Sequence, residues 1–335
     1  RGGRAWTRAS ISPLISFIRV HRENKKLKRD LVFLATADEE AGGLYGAGWM
    51  IENHPEVFEG AGYLINEGGS GLKIDTETVF SIEVTQKVPV WLRLIATDEP
   101  GHGSSPRATS SVSRIVHALH LVRENPFPAR IIPAVDTYFK SLSLNMTGEN
   151  AQAFADIKTA IKQDDFLAKL QEFSPSYHAL TRDTCSLTML KGSQKINVVP
   201  PVAEAEVDCR MLPDRSSDEF IQDFKNLVEP AGVQVELVLA FAPAVSSTES
   251  EFFKHIKSIT ASMHPGSRVA PAVSTGFTDS HFTRELGIDS YGFNPIIFDP
   301  NDFSGVHGNN ERVKVSSYLQ GTEDLHQIVR QFVLD

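Results

Sequence analysis

Three stretches far apart in the chain carry residue types that can hold a cation and activate water: Asp38-Glu39-Glu40, Glu67, and Val306-His307-Gly308-Asn309-Asn310-Glu311. Carboxylates this close repel, and burying them unpaired costs several kcal/mol or forces protonation, so something positive is expected beside them. Oxygen and nitrogen donors without thiolate suit zinc, manganese or cobalt. Several carboxylates around two cations suit a dinuclear site, where divalent charge turns repulsion into coordination. Each stretch alone has an ordinary reading: an acidic triplet is a solvated turn or a helix start, which welcomes negative charge, and a strand-end Glu67 or a loop His307 is commonplace. Together they point to a metal centre.

The elements that must position these residues follow from hydrophobic periodicity. The apolar run Leu31-Val32-Phe33-Leu34-Ala35-Thr36 predicts a fully buried strand that ends at the triplet, with a helix over 42–53 after it. Before it, Ile11, Leu14, Ile15 and Ile18 stand at helical spacing within 10–24, with serines and Pro13 as start signals. That order implies a parallel α/β sheet with chemistry at the strand carboxyl ends. A second buried strand within 60–71 again ends on a carboxylate, Glu67, followed by glycines. Strands at 79–86 and 90–97, a helix at 108–124, a polar helical insert at 148–173, strands at 186–190 and 203–211, a helix at 217–228 and a strand at 233–240 have α+β texture. Helices at 249–262 and 316–333 return to α/β texture. The expected organisation is a discontinuous catalytic domain, 1–87 and 246–335, interrupted by an inserted domain at 88–245.

Composition removes several function classes. A net charge of -9, with no basic block longer than Asn24–Arg29, argues against a nucleic-acid partner. No apolar stretch approaches the ~20 residues needed to span a bilayer. Two cysteines, Cys185 and Cys209, allow neither a disulfide framework nor a cysteine-based zinc site. No Gly-x-Ser-x-Gly elbow, HExxH helix or phosphate loop occurs, and nothing in the chain fixes a compartment.

In combination, ATADEEAGG (35–43), NEGG (66–69), GHGSSP (101–106), GSQKINVVPPVAEAEVDCRMLPD (192–214), GFTDSHF (276–282) and HGNNERV (307–313) resemble a known family. It is that of the dinuclear zinc metallopeptidases, which include aminoacylase, acetylornithine deacetylase, succinyl-diaminopimelate desuccinylase and glutamate carboxypeptidase. The wording is most similar to the larger carboxypeptidase and acyl-amino-acid hydrolase branch, and the likeness runs from about Ile11 onward. It implies a parallel or mixed sheet sandwiched by helices, with an inserted ferredoxin-like α+β lid and dimerisation domain. It further implies hydrolysis of an amide or peptide bond next to a free carboxylate, by a water held at zinc with a glutamate as general base. Glu39 then matches the base, Glu40 a ligand to one zinc, Glu67 a ligand to the other, and His307 the histidine that completes the first. His102 matches a histidine that stabilises the oxyanion, commonly in the partner subunit's site, although its ordinary reading is a surface turn. Arg210 and Asn197 match residues that grip the substrate carboxylate, although Arg210 in an alternating strand is also simply a sheet-surface residue. Gly276 and Gly192 match tight turns near the substrate. Asp279 and His281 lie in a loop bordering the site, with no metal assigned to His281. Two zinc ions per subunit, replaceable by cobalt or manganese, a small acyl-amino acid or peptide substrate, and a homodimer through the inserted domain complete the expectation.

Two family motifs are absent from the sequence: a His-x-Asp pair ahead of the triplet, and a Gly-Arg-Gly-x-x-Asp-x-Lys segment whose aspartate bridges both metals. The first would lie before Arg1 and the second across 1–9, which reads RGGRAWTRA. This basic, unpatterned opening before a well-patterned helix is expected to be a shifted reading frame or imperfect gene start, which the upstream DNA tests. The chain as given is therefore expected to be inactive or unstable, and its full-length parent an enzyme. The rival expectation is a catalytically dead homologue or truncated fragment that serves only for binding or dimerisation, and metal analysis separates the two.

Overall fold

The structure is a computed structural model that describes residues 3–74, 77–299 and 312–334, with side chains from Ile11 onward. Its strands are β1 (Tyr63–Ile74), β2 (Glu77–Gln86), β3 (Val88–Thr97), β4 (Gly101–His102), β5 (Thr184–Lys191), β6 (Val198–Val199), β7 (Val202–Met211), β8 (Gln234–Ala240), β9 (Arg268–Ser274) and β10 (Asp289–Phe298). Its helices are α1 (Gly3–Arg22), α2 (Trp49–Asn53), α3 (Ser111–Glu124), α4 (Pro133–Ser143), α5 (Gly148–Ala155), α6 (Ile157–Ala160), α7 (Phe166–Phe173), α8 (Pro175–Ala179), α9 (Ser217–Val228), α10 (Glu251–Met263), α11 (Ser280–Glu285) and α12 (Val315–Leu334). Two compact units result: Arg1–Gln86 with Pro133–Gln163 and Ala244–Asp335, and Lys87–Ile132 with Asp164–Pro243.

The first unit is built on a sheet in the order β1-β10-β2-β9. β1 and β10 run parallel, as do β2 and β9, but β10 and β2 are antiparallel, so the sheet is mixed rather than wholly parallel. The cause is local: Gly71–Ile74 pairs antiparallel with Glu77–Phe80, and strands joined so tightly can only turn back on each other. Phe80, Ile82 and Val84 of β2, with Tyr291 and Phe293 of β10, bury against Phe252, Phe253 and Ile256 of α10 and Ile328 and Phe332 of α12. The amphipathic α1 lies on α12, where Val20 packs with Leu325, Val329 and Val333, and Arg19 reaches Glu323 at 2.6 Å.

Three local expectations are corrected here. Residues 31–36 form no strand: among the described residues no ladder partner reaches them, and Val32 stays 68% exposed. α1 begins at Gly3, so Pro13 sits inside the helix rather than at its start. The helix expected over 42–53 breaks into a π-turn at Leu44–Gly48 and the short α2. In addition, Pro133–Gln163 packs with the first unit rather than with its surroundings in sequence. Val135, Phe139, Leu142, Phe154 and Ile157 are buried there, and Arg268 of β9 donates to Asn145 at 3.1 Å.

The second unit has a four-stranded antiparallel sheet in the order β5-β7-β3-β8, with α3 packed on β3, β7 and α9. Burial alternates strictly along β7, the mark of a sheet covered on one face. α9 starts on a capping box: Ser216 accepts from the Glu219 backbone, and the Glu219 side chain accepts from the Ser216 backbone. Cys185 and Cys209 face each other across β5 and β7 and are joined in one disulfide. Among the described residues no helix is long and apolar enough to cross a membrane.

Candidate functional site

In the first unit, β1 presents Glu67 through a break in its ladder. Asn66 pairs with Gly292 and Gly69 with Phe293, so Glu67 and Gly68 have no counterpart on β10. This is a bulge with two extra residues, a device that re-aims a side chain away from the regular pleat. Gly68 is required there: its φ is +140°, and a Cβ would stand 2.4 Å from Glu83 Oε2.

The acidic triplet is set by the backbone rather than by a strand end. Asp38 takes a left-handed conformation with φ 73°, its Oδ2 accepts from the Tyr45 amide at 2.9 Å, and Glu39–Ala41 make one turn of 3₁₀ helix. A third segment joins them. Thr36 Oγ1 donates to Asp279 Oδ2 at 2.9 Å, and a Cβ on Gly43 would lie 2.1 Å from Asp279 Oδ1. Gln86 Oε1, at the end of β2, holds the Thr278 amide at 3.0 Å, and Asn66 Nδ2 donates to Ser280 Oγ at 3.2 Å. The loop of Asp279 is thus tied to both β2 and the start of the bulge.

Carboxylates from the three segments feel one another. Burial pushes Glu39 up to about 8, and the negative charges of Glu67, Asp279 and Glu40 add to that push. Burial likewise raises Asp279 to about 6, opposed by the Thr36 hydrogen bond and reinforced by Asp38. Without a cation, Glu39 of the folded protein keeps its proton up to about pH 8, whereas the unfolded chain releases it near 4.5. The unfolded state therefore binds fewer protons across that window, and stability falls as pH rises from about 4.5 to about 8. The melting temperature of the metal-free protein should decline over this range more steeply than that of Glu39→Gln, and saturating zinc should flatten the difference. Equal slopes for the two proteins would contradict the crowding.

Glu39, Glu40 and Glu67 thus share one electrostatic neighbourhood in the first unit, and Asp279, which the sequence placed only at its border, belongs to it. Such a donor set fits a divalent cation in charge and hardness. Among the described residues, however, no three His, Cys, Asp or Glu converge into a group able to hold a metal ion. His307 lies outside the described residues. Gly276 is exposed, with only Ser274 Oγ, 3.8 Å away, near where a Cβ would stand, so crowding does not explain a glycine there. Gly192 is similarly roomy, with Val112 at 3.5 Å.

The second unit carries the remaining expected residues. β4 and β6 pair His102 with Val198, and the Gly103 amide donates to Asn197 O at 2.9 Å, so His102 and Asn197 lie on neighbouring strand ends. His102 Nδ1 lies 2.9 Å from Ser104 Oγ and 3.3 Å from the Ser104 amide, two contacts that hold the ring from one side. Arg210 is one-fifth exposed on β7 and is held by Asp208 in a bidentate pair at 2.6 and 3.0 Å. Asp208 also accepts from Trp91 Nε1 at 2.9 Å, so the guanidinium is oriented from below by a braced carboxylate.

Known proteins resemble this chain along almost its whole length. The N-fatty-acyl-amino acid synthase/hydrolase PM20D1 of Mus musculus is 27% identical over 327 residues, which cover 92% of this chain and 62% of that protein. A probable carboxypeptidase S-like 2 of Dictyostelium discoideum is 25% identical, covering 91% of this chain and 60% of its own. The chain therefore spans somewhat under two thirds of these relatives. Among solved structures, the M20 family metallo-carboxypeptidase Sso-CP2 of Sulfolobus solfataricus matches with a TM-score of 0.65 at 15% identity, over 96% of this chain and 74% of that one. The family described as Peptidase family M20/M25/M40 matches residues 8–331, and the protein, whose mixed sheet with helices and separate α+β unit shares that fold, belongs to this family.

Proposed function

We propose that this chain carries part of the active site of a metal-dependent hydrolase that cleaves an amide or peptide bond beside a free carboxylate. The crowding of Glu39, Glu40, Glu67 and Asp279, brought from three chain segments, supports this reading most strongly. Glu40 and Glu67, with His307, would hold zinc, which when bound supplies Lewis acidity and lowers the pKa of water toward 7. Glu39 takes the proton of the attacking water and returns it to the nitrogen of the departing amine, so that amide and water become acid and amine with no net proton change. A cation beside Glu39 would offset the burial and the negative charges that make it hold a proton, and so leave the carboxylate able to accept one. In the second unit, His102 would stabilise a developing oxyanion, commonly that of the partner subunit's site in this family, and Arg210 and Asn197 would receive the substrate carboxylate. That carboxylate would compete with Asp208 for Arg210. Gly276 gives the substrate room beside the Asp279 loop.

The second unit acts as lid and dimerisation domain in this proposal. Its sheet ends on β5, where Leu187, Met189 and Leu190 are 47%, 47% and 62% exposed, an edge that another copy could cover. Sedimentation should give a dimer.

Incubating the full-length protein with N-acyl amino acids and dipeptides tests the function. Amino acid release is expected, lost in chelator and restored by zinc. Equal turnover in chelator would end the metal claim, and a protein with no zinc and no turnover would favour a non-catalytic descendant.

A further inference from the structure

We propose that the buried ion pair Glu83–Arg284 is the positioning element of the carboxylate site: it fixes both the bulge that presents Glu67 and the helix that begins beside Asp279. The inference rests on the reading of that site as a cation-holding centre. Both side chains are 2% exposed, and Arg284 Nη2 donates to Glu83 Oε1 at 2.9 Å. A buried ion pair is weak evidence for stability, since apolar residues of similar volume often serve as well. Geometry supplies a better reason for this one.

Glu83 stands on β2 opposite Gly292 of β10, behind the bulge. A Cβ on Gly292 would lie 2.1 Å from Glu83 Oε2 and 2.4 Å from Glu67 O, so both oxygens crowd the same point. The same carboxylate leaves no room for a Cβ on Gly68. It therefore fills the hollow that two glycines leave behind Glu67, and the bulge rests on it. At the other end, Arg284 Nη2 and Nε donate to Ser290 O at 2.7 and 3.1 Å, and Nε also reaches Ser246 Oγ at 3.2 Å. Ser246 Oγ in turn accepts from the Ser290 amide at 2.8 Å. A planar fork bonded in several directions fastens α11 to β10 and, through Glu83, to β2. Asp279 immediately precedes α11. The pair thus adds a buried brace between the segments that carry Glu67 and Asp279, beneath the Gln86–Thr278 and Asn66–Ser280 bonds.

The test compares the parent protein with Glu83→Gln, Arg284→Lys, and the apolar double variant Glu83→Leu/Arg284→Met. Arg284→Lys keeps the charge but loses the planar fork whose Nε and Nη2 reach Ser246, Ser290 and Glu83 from separate donors. Zinc affinity is expected to fall about 10 to 100-fold in all three, the range for groups that orient ligands. Backbone amides of 67–69 should exchange at least about tenfold faster, relative to the rest of β1, as is expected when a local brace is lost. The double variant should recover the melting temperature that Glu83→Gln loses, yet recover neither affinity nor exchange protection. That separation distinguishes positioning from mere stability. A folded variant with affinity and bulge exchange within about twofold of the parent would overturn the proposal. If the parent itself binds no zinc, the hydrolase reading fails, and exchange in the double variant still decides the positioning claim.

Discussion

Replacing Glu39 by glutamine is expected to lower kcat about 10³-fold while leaving KM and zinc content within about twofold of the parent, the signature of an interaction made only in the transition state. Glutamine keeps the shape of the side chain but cannot accept a proton from water. Glu39 is not among the proposed ligands, so the cations stay. The same change removes one negative charge from a neighbourhood already loaded with Glu67, Asp279 and Glu40. The metal-free variant should therefore melt higher than the parent near pH 8, the pairing of lost activity with gained stability that marks a site strained for function. Steady-state kinetics and melting curves on one preparation check both halves. A kcat within about tenfold of the parent would remove Glu39 from the mechanism.

How far the sequence led can be judged from single elements. α9 was legible because Ser216 and Glu219 form a capping box ahead of Phe220, Phe224 and Val228, which share one buried face. β3 and β7 were legible because their burial alternates. β9 and β10 were not read as strands: Pro271 interrupts the first and Gly292 and Pro295 the second, breakers that demote a run when only local pattern is considered. β9 tolerates its proline at the edge of the sheet. The opposite error occurred at 31–36, where apolarity promised a buried strand, but a strand also needs a neighbour, and hydrophobicity does not encode one. The site was half legible for a similar reason. Glu39, Glu40 and Glu67 announce themselves by the glycines that follow them, whereas Asp279 enters through Thr36, 243 residues away, a contact that exists only once the chain has folded.

Asp183 is the residue of the second unit whose loss should cost most. It is buried, and its Oδ1 accepts from Arg130 Nη2 at 2.8 Å and from the Leu212 amide at 2.7 Å, while Arg215 Nη2 stands 2.9 Å from its other oxygen. Lys87 lies in the same field: burial pushes its ammonium down to about 7, and Asp183, followed by Asp208, pulls it back. Its Nζ is spent on Ala179 O, Arg182 O and Thr184 Oγ1, each at 2.8 Å, so it cannot turn elsewhere for compensation. One carboxylate thus holds two guanidiniums together beside Lys87, and Asp183→Ala would leave them facing one another around a small void. Removing one partner from a buried pair typically costs about 3–5 kcal/mol, and this network belongs at the upper part of that range. Asp183→Asn should fall between variant and parent, because its amide oxygen still accepts from Leu212 but no longer offsets the arginines. Urea midpoints of the three proteins should rank in that order, and a midpoint for Asp183→Ala equal to that of the parent would show that Asp214 alone suffices to hold Arg130 in place.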